Sequence, residues 1–133
     1  RIDHARLLAE LWRIASAISD KSIGHAVQAL VDVGVEHQLR RPGLARALDY
    51  AEPVLPLDHE AAVIDQAIHA VVVDVLRQTA PKLRGKTLDT AAADVAALAR
   101  GMIDAAGRRG ETCQRTLAAR VTRAIVGYLS PYA

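Results

Sequence analysis

The stretch Leu88–Leu129, LDTAAADVAALARGMIDAAGRRGETCQRTLAARVTRAIVGYL, decides the fold. It reads as two helices joined by a short turn. On the first, Ala91, Val95, Leu98, Met102 and Ala106 share one side. Ala92, Ala96, Ala99 and Ile103 carry that apolar surface round the cylinder, while Arg100, Asp104 and Arg108 hold the opposite side. A helix resting on one core needs an apolar stripe of about 100°, and this one spans about 180° at the helical period. Two neighbours are implied, one from the same domain and one from elsewhere. The second helix aligns Leu117, Val121, Ala124, Ile125 and Tyr128, with Leu129 on the shoulder. A pair of this kind, doubled by a twofold axis, closes as a four-helix bundle. The expectation is a homodimer with an interface of Val95, Leu98, Met102, Leu117, Val121, Ile125, Tyr128 and Leu129. The same pattern also fits an internal hairpin of a monomer.

Composition extends the helical reading to the whole chain. The 133 residues suit one domain, 1–133, long enough to bury a substantial core. Hydrophobic residues make up 51% but aromatics only 3%, with no Phe, a mixture led by Ala and Leu that favours helices throughout. The fold class expected is all-α, with about six helices. A formal charge of +2 is too small to imply a nucleic-acid surface, and the arginines alternate with acids. The single cysteine, Cys113, excludes an internal disulfide and suits a reducing, cytoplasmic compartment. No run is long and apolar enough for a membrane span or signal peptide. The chain begins at Arg1 inside a helical pattern, as a fragment of a longer protein does.

Taken in order, residues 3–17 give a helix with Leu7, Leu11, Ile14 and Ile18 in line and Leu8, Trp12 and Ala15 alongside. Asp20 and Ser22 are candidate caps for a second helix over 22–40. Its apolar face carries Ile23, Val27, Leu30, Gly34 and His37, with His25 and Asp32 opposite. Pro42 suits the first turn of a short helix reaching Ala51, and Pro53 and Pro56 forbid its continuation. A fourth helix over 58–79 aligns Ala61, Ile64, Ile68, Val71, Val72 and Val75. Asp65 and His69, four apart, can hydrogen-bond, though no third ligand stands at a telling spacing for a metal. Thr87 or Asp89 can cap the next helix and Thr112 the last.

Chemistry-bearing motifs are missing from this pattern. There is no phosphate-cradling glycine loop, no Gly-x-Ser-x-Gly elbow, no Glu-x-x-His and no Cys-x-x-Cys. The carboxylates fall on solvated faces, where an unshifted pKa makes a poor general acid or base. Neither catalysis nor a cofactor is expected.

The run Arg40-Arg41-Pro42-Gly43-Leu44-Ala45-Arg46-Ala47-Leu48-Asp49-Tyr50, with Glu52 and the Leu55-Pro56-Leu57-Asp58 turn, resembles the C-terminal regulatory domain of tetracycline-repressor-like (TetR family) bacterial transcription factors. So do Ala105-Ala106-Gly107-Arg108-Arg109-Gly110 and Arg120-Val121-Thr122-Arg123-Ala124-Ile125-Val126-Gly127-Tyr128-Leu129. The resemblance runs from about Leu7 to Leu129 and implies a homodimeric regulator, most often a repressor. In that architecture an N-terminal helix-turn-helix reads operator DNA, and the helical domain binds a small-molecule effector. The helix-turn-helix is not in this chain, so DNA contacts fall to none of its residues. The resemblance places an effector pocket among the first, second, third and fourth helices. Its candidate lining is Trp12, Leu30, His37, Leu48, Tyr50, Ile68, Val72 and Met102. Few polar groups in such a wall imply an apolar or aromatic effector.

Two other readings remain open at this level. One is a helical interaction module whose core is simply packed, with no ligand. The other is a helix-turn-helix within 88–127 using Arg115, Arg120 and Arg123, although a recognition helix must keep one face free for bases.

Overall fold

In the computed structural model, residues 2–17, 22–39 and 57–132 are described, with side chains over 5–17, 22–37 and 62–132. Every regular element among them is helical. They are α1 (Ile2–Ser16), α2 (Ile23–Leu39), α3 (Leu57–Thr79), α4 (Gly85–Arg108) and α5 (Gln114–Leu129), followed by a 3₁₀ turn, Ser130–Tyr132. The short helix expected over 42–51 lies outside the described residues.

Local chemistry explains where these helices begin and end. The Ser22 hydroxyl accepts the His25 amide at 3.3 Å, capping α2 as the sequence suggested. Thr79 closes α3 ahead of Pro81, and the loop folds back through Leu83 N–H to Ala80 O at 2.9 Å. Gly85, at φ +56°, turns the chain into α4, so the helix starts ahead of Thr87 and Asp89, and neither caps it. At its far end Gly110 takes φ +78°. The Glu111 amide then reaches Ala106 O at 3.0 Å and the Gly110 amide reaches Gly107 O at 3.1 Å. That pairing is a Schellman motif, and it needs a left-handed residue where the sequence supplies glycine. Cys113, not Thr112, occupies the cap position of α5.

Packing centres on α2, which touches α1, α3, α4 and α5. Its two flanks enter different clusters. Val27, Val31 and Val35 join the larger one with Val72, Leu76, Leu83, Val95, Ile103, Leu117, Val121, Ile125 and Leu129. Ala26 and Val33 join a smaller one with Leu7, Leu11 and Ala15 of α1 and Val71 and Val75 of α3. Gly34 marks the crossing of α2 and α4, because a Cβ there would lie 3.7 Å from Ile103 Cδ1.

The residues expected at the interface are covered to different degrees within the single chain. Leu117, Val121 and Leu129 are 0% exposed in the single chain, and Ile125 and Val95 are also buried. Leu98, Met102 and Tyr128 are half-buried, packed against the same cluster. The wide apolar arc of α4 is satisfied within the chain by α2, α3 and α5. Of the eight residues, Leu98, Met102 and Tyr128 keep part of their surface open.

Polar ties fasten the helix pairs from outside. Asp65 and His69 do not meet each other. Asp65 takes Arg100 of α4 in a two-point contact, one arm at 3.2 Å, and His69 Nε2 lies 2.7 Å from Asp89 Oδ1. The Tyr128 hydroxyl donates to Asp94 Oδ2 at 2.6 Å, joining α5 to α4. That bond, more than burial, pushes the Tyr128 pKa up to about 12. Arg120 holds Glu111 at 2.9 Å, and Arg109 meets the same carboxylate. These two guanidiniums keep the Glu111 pKa below the usual range.

Candidate functional site

Between the flanks of α2 runs a line of side chains that neither cluster fully covers. Leu30, Gly34 and His37 lie along it and are half-buried, although they sit between buried Val33 and Val35 on the helix surface. On α3 the matching residues are Ile64, Ala67 and Ile68, also half-buried. Ile68 is the pivot, since it packs against both clusters. Burial on α3 is complete only further along, at Val71, Val72, Val75 and Leu76. These half-covered residues gather toward the end where α2 finishes and α3 begins, a trough in coverage rather than one cavity, since Gly34 faces Ile103 of α4 and His37 stands beside Arg6 and Leu7 of α1.

The sequence-derived lining residues divide on this geometry. Leu30, His37 and Ile68 lie along the trough. Val72 is 8% exposed and belongs to the larger core cluster, one turn deeper than Ile68. Met102 falls on the flank of α4 that carries Asp94 and Leu98, toward α5, while Ile103 is the residue that reaches α2. Trp12 is 43% exposed on the outside of α1, because Leu7, Leu11 and Ala15 take the inward face. Leu48 and Tyr50 lie outside the described residues.

A shallow cleft at the same end is lined by Arg6, Leu7, Glu10, Val33, Glu36 and His37. Its volume is about 10 Å³, room for a single water molecule. An effector site needs roughly 300–1,000 Å³, so this polar cleft borders the trough without being a pocket. Among the described residues no three His, Cys, Asp or Glu side chains cluster as metal ligands. No helix among them is long and apolar enough to cross a membrane.

A second surface stands out on the outer side of α4 and α5. Ala93, Ala97 and Gly101 are exposed at four-residue spacing on α4, as are Arg115, Ala119, Arg123 and Gly127 on α5. A Cβ at Gly101 or Gly127 would meet nothing within 4 Å. Neither glycine has positive φ. Each therefore lowers helix stability by about 1 kcal/mol relative to Ala with no need visible inside the chain.

The helices thus build an all-α domain with a sealed core, a half-open apolar trough and a smooth outer face. Residues 22–129 match the family model described as the tetracyclin repressor-like C-terminal domain, and the chain belongs to that family. It is a regulatory domain of the kind found in transcriptional regulators. The match begins with α2 and leaves α1 outside it. No curated protein and no solved structure matches the chain with significance.

Proposed function

We propose that this chain is the effector-sensing and dimerising domain of a cytoplasmic, ligand-responsive regulator of transcription, most simply a repressor. A small apolar or aromatic effector enters the trough beside Leu30, His37 and Ile68. Two copies associate through the outer faces of α4 and α5. Operator DNA is contacted by a helix-turn-helix outside this sequence, and the chain itself catalyses nothing. The observation that carries this reading is the family match across α2–α5, combined with a line of residues that the clusters on either side leave half-covered.

The mechanism follows from linkage. Two half-sites on B-DNA lie about 34 Å apart or a multiple of it, so a dimer must present two recognition elements at a fixed separation. An effector that prefers a conformer with another separation releases the DNA, and a coupling of about 1–3 kcal/mol suffices to change occupancy many-fold. The effector acts by filling space between α2 and α3, elements whose relative position the core does not fully lock at that end.

A packed interaction module without ligand is the second reading. Thermal melting against a panel of apolar and aromatic compounds separates the two. The sensor reading expects at least one compound to raise the melting temperature of the wild type and not of Ile68→Arg, which puts a charge into the trough. No response across the panel at solubility-limited concentrations favours the module. Association is tested separately by light scattering, where a mass of one chain at micromolar concentration sinks the dimer.

A further inference from the structure

Two different means hold α3 to the bundle along its length. Over 62–70 the apolar cover is incomplete: Ile64, Ala67 and Ile68 stay half-buried, and Ala62, Val63, Gln66 and Ala70 are exposed. From Val71 onward burial takes over, with Val71, Val75 and Leu76 sealed in the two clusters. Packing strength follows the apolar area removed from water, so 62–70 is the weakly held stretch. It also has the lesser neighbour on its inner side, since α3 rests more extensively on α4 than on α2.

The same stretch carries both polar ties from α3 to α4. Asp65 takes Arg100 in a two-point contact, and His69 Nε2 lies 2.7 Å from Asp89 Oδ1. Beyond His69 no ion pair or side-chain hydrogen bond joins these two helices among the described residues. Asp74 accepts from Gln78 of its own helix at 2.9 Å, and Gln78 also donates to Ala15 O of α1.

The spacing of the ties gives them a joint effect. Asp65 and His69 are about 6 Å apart along α3, whereas Asp89 and Arg100 are about 16 Å apart along α4. The two helices run antiparallel, so the ties splay, one toward each end of α4. A splayed pair resists sliding of α3 along α4 in both directions, where a single tie resists only one.

We propose that the ties of Asp65 to Arg100 and of His69 to Asp89 act together as a surface clasp, which sets how often the 62–70 stretch lifts from the bundle and uncovers the side of α3 that faces α2. All four side chains are partly exposed, so each tie shifts this balance by only roughly two- to fivefold. Partial exposure also makes the clasp sensitive to salt. The sealed part of α3 beyond Val71 stays in place. In the sensor proposed above the clasp controls access to Ile68 from outside the bundle, but the clasp itself requires no effector.

A helical stretch that loses its packing frays, because tertiary contacts supply most of its stability. Lifting is therefore read as amide exchange along α3. The experiment compares wild type, Arg100→Gln, Asp89→Asn and the double variant. Both substitutions are on α4, so any change on α3 has to pass through the ties. The amides of Ile68, His69 and Ala70 should lose protection roughly two- to fivefold in each single variant and more in the double, while Leu76 and Leu117 keep theirs. In 1 M salt, where the screening length is about 3 Å, the wild type should approach the double variant and the double variant should not move. Exchanging the charges, Asp65→Arg with Arg100→Asp, should restore the protection lost in Arg100→Gln. Unchanged exchange at 68–70 in the double variant overturns the clasp. So does a loss of protection spread equally over α3 and α5, which would report global stability alone. These measurements contain no compound, so they stand apart from the effector panel: localised loss at 68–70 with no response across the panel leaves the clasp standing and removes the sensor.

Discussion

Replacing Gly101 and Gly127 by alanine should move two properties in opposite directions. Both glycines lie inside helices, neither has positive φ, and an added Cβ meets nothing within 4 Å. Each substitution removes a helix-propensity penalty of about 1 kcal/mol. The sites are on different helices with no shared partner, so the effects should add to about 2 kcal/mol. For a domain of this length that corresponds to a rise in melting temperature of roughly 6–10 °C. Association should weaken if the second copy proposed above approaches these positions, since overpacking of about 1–3 kcal/mol raises the dissociation constant roughly fivefold or more. The assay is a urea melt at a protein concentration where the wild type is dissociated, because dimerisation would otherwise contribute to the apparent stability. Light scattering at higher concentration gives the association arm. A lower unfolding midpoint for the dissociated double variant would refute the argument, for it would mean the fold itself needs bare backbone there. Greater stability with unchanged association would remove the two glycines from the interface.

Other outcomes follow from the core and the turn. Leu117→Ala empties a fully buried site and should cost about 3 kcal/mol in urea unfolding. Val121→Asp belongs to the same class, so any loss of dimer it causes reports unfolding. Tyr128 has a folded-state pKa of about 12 against an ordinary 10.0. Its contribution to stability is complete below pH 10, is lost as pH rises through about 12, and disappears in Tyr128→Phe; phenolate absorbance should show one tyrosine ionising late. Glu111 behaves in the opposite sense, its pKa being held below 4.5 by Arg109 and Arg120. Its stabilisation is present above that ordinary value and lost as pH falls through the lower folded value, and Glu111→Gln should flatten the acid limb of the stability profile. The exposed Cys113 thiol is drawn below its usual pKa, chiefly by the Thr116 hydroxyl at 3.0 Å. Iodoacetamide at neutral pH should alkylate it faster in the folded chain than in urea, and Thr116→Ala should remove the difference.

Helix positions were legible because each stripe obeys one period and each break carries its own residue. Ser22 caps α2, Pro81 follows α3, and Gly110 supplies the left-handed residue that ends α4. What the period cannot tell is which chain covers a stripe. Leu117, Val121, Ile125 and Leu129 are apolar because α5 lies on α2 within the same chain, and a twofold partner would demand the same pattern. Gly101 and Gly127 are mid-helix glycines without an internal cause, a feature that stripe periodicity does not register. Leu30, His37 and Ile68 were chosen from shared faces and are half-buried, but Trp12 was chosen by the size and polarity of its ring. Spacing puts Leu7, Leu11 and Ala15 inward and leaves that ring outside. Asp65 and His69 show the same limit: four residues apart permits a bond, and the stronger partners were across the helix pair at Arg100 and Asp89.

The division of the core into two clusters bears on how the domain opens. Among the described helices α1 touches only α2 and α3 and contributes to the smaller cluster alone, whereas the larger one is closed by α2, α3, α4 and α5. In amide exchange such a seam separates cooperative units. The backbone amides of Leu7 and Leu11 should exchange by release of one helix, at a free energy below that of global unfolding, while Leu117 and Val121 keep full protection. A force applied along α1 meets this weaker seam first, before it reaches the residues that seal the bundle.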